Sequence, residues 1–149
     1  MTIDSDVYVK FVGHRPHQGT SGAAGYDLVA EILSDSPFII QPGRWKIVPT
    51  GTFVEIPRGY AGLILPRSGL AAKHGVTVLN SPGLIDSDYR GEIGVILHNV
   101  NRHEDFVVTK GMRIAQLMVV RVPELVLVAE QNLSDTVRGG EGFGSTGTQ

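Results

Sequence analysis

The stretch Gly83-Leu-Ile-Asp-Ser-Asp-Tyr-Arg-Gly91 runs directly into Glu92-Ile-Gly-Val-Ile-Leu-His-Asn99. In the second half Ile93, Val95 and Leu97 recur at every other position, the period of a half-buried strand. The first half is too short and too rich in turn formers for a helix. It gathers two aspartates, a phenol and a guanidinium between two glycines, on a loop entering a rigid sheet, where binding and catalytic groups concentrate. An ordinary β-turn with solvated charges would use the same Asp and Gly for conformational reasons alone.

Outward from this stretch the same short-strand pattern recurs. On the N-terminal side, Val7–Val12, Ala23–Ala30, Phe38–Ile40, Trp45–Val48, Gly51–Ile56, Tyr60–Leu65 and Val76–Asn80 read as strands, separated by Gly, Pro and Ser clusters. Val76–Asn80 and Glu92–Asn99 flank the opening stretch and could form a hairpin with a long, functional tip. On the C-terminal side, Asp105–Thr109, Met112–Val122 and Glu124–Ala129 complete the series. Arg113 and Gln116 are polar intruders in an otherwise apolar strand. Edge exposure explains either one; both together suggest groups aimed at a ligand. The spacing predicts an all-β domain with one short helix over 68–73, Ser68 standing at its N-cap and Gly75 ending it.

With 149 residues, 42% of them hydrophobic, the chain suits one domain with its own core. Residues 1–149 read as that domain, with a β-rich core over about 1–133 and a glycine-rich arm from about 134. A net charge of -2 and a pI near 6.2 argue against coating nucleic acid or an anionic membrane through bulk charge. Any anionic ligand must then be held by local arginines. There is no cysteine, which excludes disulfides, thiolate metal sites and cysteine nucleophiles. The acidic N-terminus lacks an apolar signal core and no apolar run approaches membrane-spanning length, so a cytoplasmic protein is the expectation. The five histidines show no metal-ligand spacing; His14 and His17, in a proline-containing loop, are expected to face solvent.

Two further stretches carry chemistry. Pro66-Arg-Ser-Gly69 at a helix start offers N–H donors, a hydroxyl and a cation, the groups that hold phosphate, or it is only a capped turn. Arg138-Gly-Gly-Glu-Gly-Phe-Gly-Ser-Thr-Gly147 has the composition of a flexible tail. It is not a Walker loop, since no Gly-Lys-Ser/Thr follows the glycines, yet Arg138, Ser145 and Thr146 could wrap donors around a polyphosphate while Phe143 covers a flat ring.

Taken together, five stretches resemble, in order, the motifs of the trimeric dUTPase family (dUTP diphosphatases): Ala24-Gly-Tyr-Asp-Leu28, Pro66-Arg-Ser-Gly-Leu-Ala71, Gly83–Gly91, Gly111-Met-Arg-Ile-Ala-Gln-Leu117 and Arg138–Gly147. The resemblance covers nearly the whole chain. It implies a distorted jelly-roll-like β-barrel subunit and a homotrimer with shared active sites, motifs one, two and four coming from one subunit, the third from a neighbour and the arm from the remaining one. The implied reaction is Mg²⁺-dependent hydrolysis of dUTP to dUMP and pyrophosphate, which keeps uracil out of DNA and supplies dUMP for dTMP synthesis. By resemblance, Asp86 is the general base that directs water at the α-phosphorus. Arg67, Ser68, Gly69, Gln116 and Arg138, with Gly144, Ser145 and Thr146 toward the γ-phosphate and Arg113 beside them, bind the phosphates. Asn80 and Gly83 meet the uracil edge, Tyr89 the deoxyribose, and Phe143 stacks on the base. Asp27 assists Mg²⁺ through water, the metal being held mainly by the triphosphate. Glu141 departs from the small residue many members carry in the arm; the kept glycine spacing and Phe143 favour its facing solvent. The competing readings are a dCTP deaminase-like enzyme of the same fold and a binding or signalling protein built on it.

Overall fold

The computed structural model describes residues 6–140. In chain order its elements are β1 (Lys10–Gly13), β2 (His17–Gln18), β3 (Tyr26–Val29), β4 (Phe38–Ile40), β5 (Trp45–Glu55), β6 (Tyr60–Leu65), α1 (Ser68–His74), β7 (Val76–Val78), β8 (Gly83–Ile85), β9 (Glu92–Asn99), β10 (Phe106–Val108) and β11 (Arg113–Arg121). They form a four-stranded sheet in the order β1-β5-β9-β7, a five-stranded sheet in the order β2-β3-β11-β6-β8, and the pair β10-β4. Every pairing is antiparallel. The architecture is the expected all-β, jelly-roll-like one, built as packed sheets and not as a closed barrel.

Alternation sends one set of side chains from each sheet inward. Val48, Val54, Ile93, Val95 and Leu97 from the four-stranded sheet meet Leu28, Ile64, Ile114 and Leu117 from the five-stranded one, with Ile40, Phe106 and Val108 closing the end, all in one buried cluster. Burying such a side chain is worth about 1.5–3 kcal/mol, so this shared interior outweighs the turn preferences of the connecting loops. Buried Asn99 ties the two-stranded sheet to the four-stranded one: its amide donates to the carbonyls of Ile40 (3.0 Å) and Glu104 (2.8 Å), and its oxygen accepts the Asn101 N–H (3.0 Å).

Several sequence expectations are corrected. The first strand begins at Lys10, not Val7. Trp45–Val48 and Gly51–Ile56 belong to one long strand, bent where the register with β9 shifts between Pro49 and Phe53. Gly51 (φ 61°) occupies that irregularity. Gly83–Ile85 is itself a strand, and it leaves β7 and β9 to pair with β6 in the other sheet. Ser68 opens α1 instead of capping it: Arg67 holds the cap position in an extended conformation without a side-chain cap bond, while Gly75 ends the helix in the left-handed region as expected. Glu124–Ala129 forms no strand, although Leu125, Val126, Leu127 and Val128 are all more than 70% exposed. The strand-like pattern is present, but no strand among the described residues pairs with it. His17 faces solvent as expected, but His14 does not stand free; its Nε2 lies 3.0 Å from Glu31.

Candidate active site

β11 is central, not an edge, so its two polar intruders are not explained by edge exposure. On one side Gln116 is opposite Asp27 of β3, and on the other opposite Leu65 of β6. A register shift between Arg113 and Ala115 turns the start of the strand, and the chain leaving β6 brings Arg67 to the same place. There Arg67 Nε donates to Asp27 Oδ1 at 3.0 Å and Arg113 Nη1 to Asp27 Oδ2 at 3.4 Å. A further bond from Arg67 Nη1 to the Arg113 carbonyl (3.2 Å) fixes the first guanidinium. The Asp27 side chain is only 11% exposed, so the two cations offset the cost of burying its charge. The result is a pair of guanidinium groups held at one point beside an amide, with Ser68 and Gly69 exposed at the start of α1.

Gly25 leaves room beside this junction. A β-carbon there would stand 2.7 Å from Gln116 Oε1 and 3.3 Å from Gln116 Cβ, so a side chain would push the amide from its place. The register between β3 and β11 is what brings Gly25 beside Gln116.

The second group lies on and after β8. Gly83 is buried, and a β-carbon there would stand 3.3 Å from both Asn80 Nδ2 and Ile64 Cβ. The chain then turns at Asp86, whose carbonyl accepts the Tyr89 N–H at 3.1 Å. Arg90 Nη1 donates to the carbonyls of Ser87 (2.8 Å) and Tyr89 (2.9 Å), and the Tyr89 hydroxyl donates to the Glu92 carbonyl at 2.8 Å. Arg90 thus braces the turn, leaving Asp86 exposed at its start.

These two groups do not meet within one chain. β8 runs antiparallel to β6, with Gly83 opposite Ile64 and Ile85 opposite Gly62. Asp86 therefore continues away from Arg67, five or six strand positions distant, or roughly 15–20 Å at the usual rise per residue.

The dUTPase family model matches residues 12–147. The chain belongs to the dUTPase family. It is 53% identical over 132 residues to the deoxyuridine 5'-triphosphate nucleotidohydrolase of Sinorhizobium medicae, covering 89% of this chain and 82% of that protein. With the protein of the same name from Rickettsia felis it shares 47% identity over 137 residues, 92% of this chain and 90% of the relative. Among solved structures, a Staphylococcus bacteriophage 80alpha dUTPase with dUPNHPP superimposes with a TM-score of 0.83 at 24% identity, covering 94% of this chain and 98% of that one. A dUTPase from phage phi11 of S. aureus, whose structure concerns coordination of a structural Mg(II) ion, gives a TM-score of 0.75 at 20% identity over 86% and 99% of the two chains. At those identities the likeness shows the fold.

Within this dUTPase-family chain the structure brings together Asp27, Arg67, Arg113 and Gln116, and separately Asn80, Gly83, Asp86 and Tyr89. Arg138 lies at the exposed end of the described chain. Phe143, Gly144, Ser145, Thr146 and Glu141 fall outside the described residues. Among the described residues no group of three or more acidic or histidine side chains could hold a metal ion, and no helix is long and apolar enough to cross a membrane.

Proposed function

We propose that this chain is a dUTP diphosphatase, hydrolysing dUTP to dUMP and pyrophosphate. The observation that carries the reading is the convergence of Arg67 and Arg113 on Asp27 beside Gln116. Two oriented guanidinium groups and an amide are what an extended triphosphate requires, since arginine matches phosphate oxygens in pairs of charge-assisted bonds. Ser68 and Gly69 extend that set at the start of α1, and Arg138, Ser145 and Thr146 complete it from the arm.

Asp86 is the base. Its carboxylate, exposed on a braced turn, takes a proton from water as the water's oxygen attacks the α-phosphorus; the bond from that phosphorus to the bridging oxygen breaks, and pyrophosphate leaves. Holding the water in line accounts for much of the acceleration. Asn80 and the backbone near Gly83 read the uracil edge, where cytosine would present a donor against a donor and leave buried groups mismatched. Tyr89 lies along the deoxyribose and Phe143 covers the base.

Mg²⁺ bound to the triphosphate would neutralise its charge and hold its conformation. The donor set fits that role and no larger one. Asp27 gives one lone pair on each oxygen to a guanidinium and keeps others for metal-bound water, and the substrate itself supplies the direct oxygen ligands.

The antiparallel run of β8 against β6 supports a site shared between chains: the phosphate half of one subunit is completed by the Asp86 half of another. Exposed apolar side chains, Trp45 and Ile47 on β5 and the 125–128 run, support association between chains, and a homotrimer is the assembly the family resemblance implies. The cytoplasm, where the nucleotide pool resides, is the compartment in this reading. The test is pyrophosphate release from each deoxynucleoside triphosphate and from UTP, with and without Mg²⁺. Metal-dependent release from dUTP alone supports the assignment; conversion of dCTP to dUTP overturns it in favour of a deaminase.

A further inference from the structure

Gly91 closes the loop that carries Asp86 and Tyr89, and its role is distinct from turn formation. Its φ lies outside the left-handed region, so alanine would fit the backbone there. What excludes a side chain is the tyrosine. A β-carbon at position 91 would stand 2.6 Å from Tyr89 Cζ and 2.9 Å from Cε2, and closer still to the phenol oxygen; its three nearest neighbours all belong to that one ring. The phenol is folded back across the glycine to reach the Glu92 carbonyl at 2.8 Å. Glu92 is itself anchored, its carboxylate accepting the Gly51 N–H at 2.7 Å where β5 bends.

We propose that Gly91 and Glu92 are positioning residues for substrate selection: Gly91 is the seat that lets the Tyr89 ring lie back, and the Glu92 carbonyl is the tether that keeps it there. The proposal rests on the reading of Tyr89 as the group beside the deoxyribose. A ring so held is a rigid wall, and a wall rejects a 2′-hydroxyl only while it cannot yield. A ring pushed off its seat would have room to swing, because it is 42% exposed.

The kcat/KM ratio of dUTP to UTP, measured on the full chain for wild type, Gly91→Ala, Tyr89→Ala and the double variant, tests this. Gly91→Ala should lower the ratio by about tenfold or more, the scale on which a site discriminates a single substituent. Most of the change should come from better use of UTP, and the double variant should be no less selective than Tyr89→Ala, because both act through one ring. A wild-type ratio in Gly91→Ala alongside a relaxed Tyr89→Ala overturns the proposal, as does an additive double variant. An unchanged ratio in Tyr89→Ala overturns the reading of Tyr89 itself. Tyr89→Phe keeps the ring and removes the tether, so it tests the proposal even if Gly91→Ala fails to fold. A several-fold loss of selectivity supports the tether, and a wild-type ratio refutes it.

Discussion

At the residue level the two halves of the site make different demands. Asp86 needs basicity, and Asp86→Asn keeps the shape of the carboxylate while removing it. Turnover should fall by about 10²–10⁴, the usual share of a general base, while binding of a non-hydrolysable dUTP analogue, measured by calorimetry, stays close to wild type. Arg67 needs geometry. Arg67→Lys retains the charge but loses the planar fork that serves Asp27 and the phosphates together; the KM for dUTP should rise by about tenfold or more, the effect of losing one charge-assisted bond. The identity of these residues was legible from their motifs. Gly25 and Gly91 were visible only as glycines, because the sequence does not say which side chain a missing β-carbon makes room for. Their meaning depends on Gln116 and Tyr89 arriving beside them.

Among the elements, β6 and β11 are found where their apolar runs put them, and β9 where its alternation put it. Alternation records which face is buried, and burial dominates their energetics. Those read differently are governed by partners. β8 has only three residues, too few for a pattern, and exists because β6 offers it an edge. The 124–129 run has the pattern and lacks a partner strand among the described residues. Asn99 joins two sheets at one buried side chain, and replacing it with leucine would leave the carbonyls of Ile40 and Glu104 without that donor. Asn99→Leu should cost about 1–3 kcal/mol, the penalty of leaving the buried Ile40 carbonyl unsatisfied, read as a lower midpoint in urea with an unchanged slope.

At the scale of the whole molecule, the proposal drawn from the β6–β8 register is that catalysis belongs to an assembly. Asp86→Asn and Arg67→Ala chains should each be nearly inactive alone, yet hybrid assemblies formed by refolding the two together should recover a substantial fraction of wild-type turnover. A site can then draw Arg67 from one chain and Asp86 from another. Mixtures no more active than their parts would show that the site is built within one chain. Removing residues from 138 onward should leave the assembly intact by light scattering while turnover drops severely, because the role proposed for the arm is to act on bound nucleotide and the described core cluster is built from residues before it.

By itself the sequence determined the all-β class and the family, because each is written in local alternation or in short motifs whose order survives without coordinates. Only the tertiary structure decided which motifs share a place. It put Asp27, Arg67, Arg113 and Gln116 at one junction, sent Asp86 and Tyr89 the other way along β6, and folded the tyrosine onto Gly91. The physical reason is that strand register is set by long-range burial and by which edges remain open, and neither quantity is contained in any short stretch of chain.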